Sequence, residues 1–89
     1  MVILILENAS EKLRGMLTRW MIEPKAGVFV GSLNAMVRDE LWRIIPDYAP
    51  KAALMIYSCD NEQGYRMISI GDPSRTVIDL DGLQLIKFL

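Results

Sequence analysis

Histidine is absent from this 89-residue chain, and cysteine occurs once. The first absence excludes Ser-His and Cys-His nucleophiles, ordinary zinc sites and an imidazole general base. The second excludes an internal disulfide and fits a reducing compartment. Cys59 itself falls in an apolar segment and is expected to be packed there. Long apolar runs are missing too. The longest, at 1–6 and 52–57, fall far short of the roughly 18–20 residues that a membrane helix needs, and the first lacks the basic start and cleavage site of a signal peptide. A soluble, cytoplasmic protein with no membrane role is the expectation. Nor does charge of one sign accumulate: ten bases against eleven acids leave a net charge of −1, so bulk charge announces no nucleic-acid binder.

What is present is apolar surface. Fifty-two per cent of the residues are hydrophobic, generous for one small domain spanning 1–89. A chain of this length buries only about 60–65% of its unfolded surface. Part of the apolar excess is therefore assigned to a subunit interface, and a symmetric homodimer is the commonest form. The charges are also unevenly spread. Residues 12–51 carry seven bases and four acids, and residues 52–89 carry three bases and five acids. Such asymmetry marks a candidate binding face.

Residues 2–6 form a continuous β-branched and leucine run, the pattern of a central strand covered on both faces. Ser10 then caps a helix whose apolar stripe is Leu13, Met16, Leu17, Trp20 and Met21, with Pro24 as its stop. Residues 26–31 read as the one strand between two helices. Asn34 opens the second helix, with Val37, Leu41, Ile44 and Ile45 on its core face and Pro46 and Pro50 ending it. The strand-to-helix corner within 25–42 brings backbone N–H groups, Lys25 and Arg38 together in the reading, a corner suited to a phosphate. Residues 52–59 and 65–70 read as a hairpin around the loop 60–64. A turn follows at 71–74, and two apolar runs flank Asp81-Gly82 at the end. The order predicts an α+β, ferredoxin-like two-layer sandwich: one mainly antiparallel sheet, two helices on one face, and a C-terminal β ribbon. Trp20, Trp42, Tyr48 and Tyr65 are read as core or interface residues rather than base-stacking platforms.

Glu7-Asn8 after the first strand, Leu13-Arg14-Gly15, the run Ala26-Gly27-Val28-Phe29-Val30-Gly31, Arg38, Trp42 and Asp79-Leu80-Asp81-Gly82-Leu83 together form an ordered set. In this the chain resembles the small CRISPR-associated adaptation protein, the second of the two universal adaptation subunits, in its type I-E form. The resemblance covers essentially the whole chain. It implies a homodimer that bridges dimers of the CRISPR integrase and holds a double-stranded prespacer for insertion into the repeat array.

The resemblance also assigns residues. Lys12 and Arg14 map onto a basic pair opening the first helix, Arg38 onto a base on the second, Arg75 onto a base before the last ribbon, and Lys25 onto a base before the Ala-Gly-Val strand. Lys and Arg grip phosphates without reading sequence, which suits a subunit that accepts many prespacers. Met36 and Ser74 stand where relatives often carry further bases. Segment 76–89 is the expected partner-docking ribbon, with Ile78, Leu80, Leu83, Leu85 and Phe88 as the residues that meet the integrase. Glu7 is the candidate catalytic residue and metal ligand, since a strand-end carboxylate from each protomer would share one Mg²⁺ across the two-fold axis. This gives an alternative reading, a Mg²⁺-dependent endonuclease acting on single-stranded RNA or duplex DNA. A small-molecule regulatory module is a third class that the fold hosts, but it leaves the terminal ribbon without a role.

Overall fold

The structure is a computed structural model and describes residues 1–71 and 75–88. In chain order it contains β1 (Val2–Glu7), α1 (Glu11–Leu17), β2 (Ile22–Lys25), β3 (Val28–Gly31), α2 (Ala35–Ile44), a 3-10 turn (Ile45–Tyr48), β4 (Ala52–Ser58), β5 (Tyr65–Gly71), β6 (Arg75–Leu80) and β7 (Leu83–Phe88). Five strands form one sheet in the order β2-β3-β1-β4-β5, with every neighbouring pair antiparallel. The sub-order β2-β3-β1-β4 is that of the ferredoxin-like split β-α-β plan. β6 and β7 pair only with each other among the described strands and form the ribbon.

Both helix starts follow from their caps. The Ser10 hydroxyl accepts the N–H of Leu13, and the Asn34 side-chain oxygen accepts the N–H of Val37. Each supplies a partner to a donor that the first helical turn leaves free. The end of α1 differs from the sequence reading. The helix stops at Leu17, where the Thr18 hydroxyl donates to the Gly15 carbonyl, and a tight turn carries the chain outward. Trp20 therefore leaves the helical stripe and stands 53% exposed, outside the core of the single chain, which leaves the interface half of its core-or-interface reading.

A second correction concerns the segment between the helices, which holds two strands rather than one. Pro24 does not stop a helix. It lies in β2, an edge strand whose register with β3 shifts between Ile22 and Lys25. An edge strand with an irregular register is where a residue lacking an N–H is tolerated. The turn from β2 to β3 needs Gly27, whose φ is +80°; a Cβ there would stand 2.6 Å from the Leu6 carbonyl oxygen. The Gly27 carbonyl in turn accepts the Leu6 N–H at 2.8 Å.

The helices cover one face of the sheet. Leu13 and Leu17 of α1, with Leu41 and Ile45, pack on Val2, Leu4 and Leu6 of β1, Phe29 of β3, and Ala53 and Met55 of β4. Each fully buried side chain of this set contributes about 1.5–3 kcal/mol relative to exposure. The other face carries Ile3 and Ile5 of β1, Val28 and Val30 of β3, and Leu54 and Ile56 of β4, as the cross-strand pairs require. No helix of the described residues lies on that side, and Ile5 is 36% exposed. An antiparallel sheet with one solvated face ordinarily alternates apolar and polar residues; β1 does not.

The ribbon closes through a two-residue turn, Asp81-Gly82, with φ of +53° and +84°, the hairpin geometry that matches strand twist. The Asp79 carboxylate accepts the Gly82 N–H. Two glutamines seat the ribbon on the sheet. The Gln84 side-chain amide bonds both the N–H and the carbonyl of Met67 on β5, while the Gln63 side-chain amide does the same for the backbone of Gln84. Met67, on the helix-free face, is buried beneath this contact. Of the expected turn at 71–74, only Gly71 lies within the described residues, where it ends β5.

Candidate nucleic-acid interface

The five bases do not share one surface. Lys12 and Arg14 lie on α1, which starts where β1 ends, and Lys25 lies at the end of β2 that pairs with Val28. These three gather at the Glu7 end of the sheet. Arg38 belongs to the opposite end, because α2 leaves the sheet after Gly31, whose partner on β1 is Val2. The length of β3, about 10 Å at 3.3 Å per residue, separates it from Lys25. The corner within 25–42 consequently divides: its strand-to-helix hand-over holds Arg38 without Lys25. Arg75 begins β6 on the ribbon.

Three of these bases are held by their own chain. The Nε–H of Arg14 donates to Oε2 of Glu23 at 3.1 Å, Nη2 stands in an ion pair 3.1 Å from that oxygen, and the same oxygen accepts the Gly27 N–H at 2.9 Å. The Gly27 N–H, followed by the hydrogen bond and charge of Arg14, holds the Glu23 carboxyl below its ordinary 4.5, against the opposing effect of burial. The Arg38 guanidinium sits over the Tyr57 ring, 4.0 Å from its centroid, with Nε on Asp39 at 3.0 Å; its side chain is only 20% exposed. The guanidinium of Arg75 sits 4.7 Å from the Phe88 ring centroid. Lys12 and Lys25 are exposed and form no ion pair among the described residues. Beside Arg14 a cavity of about 220 Å³ opens, lined by Leu6, Asn8, Ala9, Ala26 and Gly27.

Glu7 ends β1, exposed, on the same face as Ile3 and Ile5. Among the described residues no three acidic, cysteine or histidine side chains come together to hold a metal. Mg²⁺ is commonly held through one or two carboxylates with water completing its shell, and Glu7 would supply one such carboxylate from each chain.

The residues expected to dock show a pattern that the sequence reading left unresolved. Cross-strand pairs place Ile78 opposite Leu85 and Leu80 opposite Leu83, all four on one face of the ribbon. That face points away from β5, since Gln84, on the other, bonds β5. Leu80, Leu83 and Leu85 are exposed. Phe88 lies on the sheet-side face with Arg75 and is 70% exposed. Sequence reasoning missed Glu23, Tyr57, Gln63 and Gln84. Their partners lie 9 to 21 positions away in sequence, as in Arg14–Glu23 and Gln63–Gln84, so no local period announces them.

A split β-α-β sandwich, with arginines held at its strand ends and an appended ribbon, defines a small α+β protein of the ferredoxin-like class. The family model described as CRISPR-associated protein (Cas_Cas2CT1978) matches residues 1–85. The chain belongs to that CRISPR-associated family, and its function lies within CRISPR biology. The expected fold holds, and so does the expected CRISPR-associated family.

Proposed function

We propose that this protein is the DNA-holding scaffold of CRISPR adaptation, of the type I-E kind: a homodimer that bridges integrase dimers and positions a prespacer duplex for insertion. One observation carries the reading. On the side away from its helices the sheet carries an apolar face, Ile3, Ile5, Val28, Val30, Leu54 and Ile56, which the ribbon meets at Leu54 and which is half-buried except at the exposed Ile5. A face of this kind suits a second copy, because a two-fold pair covers both faces at once. The outward apolar face of the ribbon, Ile78, Leu80, Leu83 and Leu85, then serves a different protein, the integrase subunit. Lys12, Arg14 and Lys25, with Arg38 and Arg75, supply the phosphate contacts, each presented twice by the dimer.

Sedimentation equilibrium tests the first step and is expected to return twice the chain mass. Duplex binding is expected to weaken steeply between about 50 and 200 mM salt, with a log–log slope near −0.9 per neutralised phosphate. Affinity indifferent to salt would sink the phosphate role. Removal of residues 78–89 is expected to abolish association with the integrase while the sandwich stays folded.

A second reading, the Mg²⁺-dependent endonuclease, draws on the position of Glu7. It lies on the helix-free face, where a second copy would bring a second carboxylate near it. On the scaffold reading a Glu7→Ala protein still supports spacer acquisition. Metal-dependent cleavage lost on that substitution would select the nuclease instead.

A further inference from the structure

We infer that Glu23 is a positioning residue for a phosphate-binding Arg14: it holds one edge of the guanidinium so that the other edge faces the nucleic acid. The inference rests on the scaffold reading, in which Arg14 meets a DNA phosphate.

A guanidinium carries five N–H donors in a rigid plane. In Arg14 the Nε–H is spent on Oε2 of Glu23 at 3.1 Å, and Nη2 stands in an ion pair 3.1 Å from the same oxygen. The Nη groups at the far end of the same plane form the fork that a phosphate takes with two parallel bonds. The arginine side chain is 41% exposed, whereas the glutamate is 16% exposed. The acid is thus tucked beneath the base, and it is the base that reaches solvent and the cavity of about 220 Å³ at Asn8 and Gly27.

Glu23 is itself anchored. Its Oε2 accepts the Gly27 N–H at 2.9 Å, and the Gly27 carbonyl accepts the Leu6 N–H at 2.8 Å. The arginine on a short helix is thereby tied to the central strand of the sheet. A long flexible side chain loses rotamer freedom when it binds, and one already held in place loses less. An ordinary surface ion pair, by contrast, contributes little and frays readily. The two descriptions predict opposite signs. If Glu23 were merely a nearby acid, its removal would lessen repulsion of the phosphates and tighten binding. As a positioning residue, its removal loosens binding.

The test is duplex binding by the intact protein at fixed salt, for Glu23→Gln in the unchanged, Arg14→Ala and Lys12→Ala backgrounds. Glutamine keeps the length and an acceptor for Gly27 but loses the charge that grips the guanidinium. The Kd is expected to rise about 3- to 10-fold in the unchanged and Lys12→Ala backgrounds and to stay unchanged in Arg14→Ala. Arg14→Lys is a second variant that leaves Glu23 in place. It keeps the charge without the fork, and its Kd is expected to rise nearly as far as that of Arg14→Ala. Tighter or unaltered binding by Glu23→Gln, or an equal effect in all three backgrounds, overturns the positioning role and leaves the scaffold reading standing. Failure of the unchanged protein to bind duplex overturns both, and it shows before any substitution is made.

Discussion

Among the described residues, Glu23 and Glu40 are the carboxyls that the fold holds below their ordinary value. Gly27 and Arg14 act on the first and Arg43 on the second. A carboxyl lowered in the folded state contributes stability that is fully present above its unfolded value, 4.5, and is lost as the pH falls through the folded value. Thermal melting followed from pH 6 downward is expected to show that loss beginning below about 4.5, and Glu23→Gln should flatten it. Gly27 sets a second residue-scale expectation. Alanine there meets both a left-handed backbone and the Leu6 carbonyl, so Gly27→Ala should lose about 1–3 kcal/mol in urea denaturation. The damage extends to Arg14, because the Gly27 N–H is what anchors Glu23.

At the scale of elements, the ribbon is joined to the sandwich by side-chain amides more than by strand pairing. Gln84→Ala removes the bonds to the N–H and carbonyl of Met67. At about 0.5–1.5 kcal/mol net per bond, the ribbon should lose hydrogen-exchange protection across β6 and β7 while β1 and β4 keep theirs. Protection unchanged in β6 and β7 would show that Gln84 is dispensable. The contrast between these two parts also explains what the sequence made legible. Caps act over three residues, so Ser10 and Asn34 declared both helix starts, and the Asp81-Gly82 pair fits the ribbon's turn. β2 was missed because Pro24 reads as a helix stop until a neighbouring strand makes it an edge residue. Trp20 was misplaced because the helical period continues past Leu17 in the letters although the backbone turns away. The glutamine seat was invisible for a different reason: neutral amides carry no charge pattern, and their partners lie 17 and 21 residues off.

At the scale of the whole molecule, the sandwich is one-sided. Its helices spend their apolar faces on Val2, Leu4 and Leu6, and the strand residues between these point the other way with no helix to meet. Ile5→Asp puts a charge at the exposed residue of that face. On the proposed reading it should shift the mass in sedimentation equilibrium from dimer to monomer, with far-ultraviolet circular dichroism retained, since the side chain faces away from the core. A dimer of unchanged stability would place the interface elsewhere. The five bases are legible in the sequence as types, but not their grouping. Which end of a sheet a residue occupies depends on strand direction and order, and these separate Arg38 from Lys25.

The seat of the ribbon has one more consequence. Its four hydrogen bonds join amides to backbone, groups that neither titrate nor gather counterions. On the proposed reading the bases would work by the opposite means, releasing ions when they meet a phosphate. A single chromatographic wash of rising ionic strength should therefore strip nucleic acid from the protein while the ribbon stays docked, its outer apolar face still presented. The two halves of an assembly built on this chain would come apart in a fixed order, cargo before scaffold.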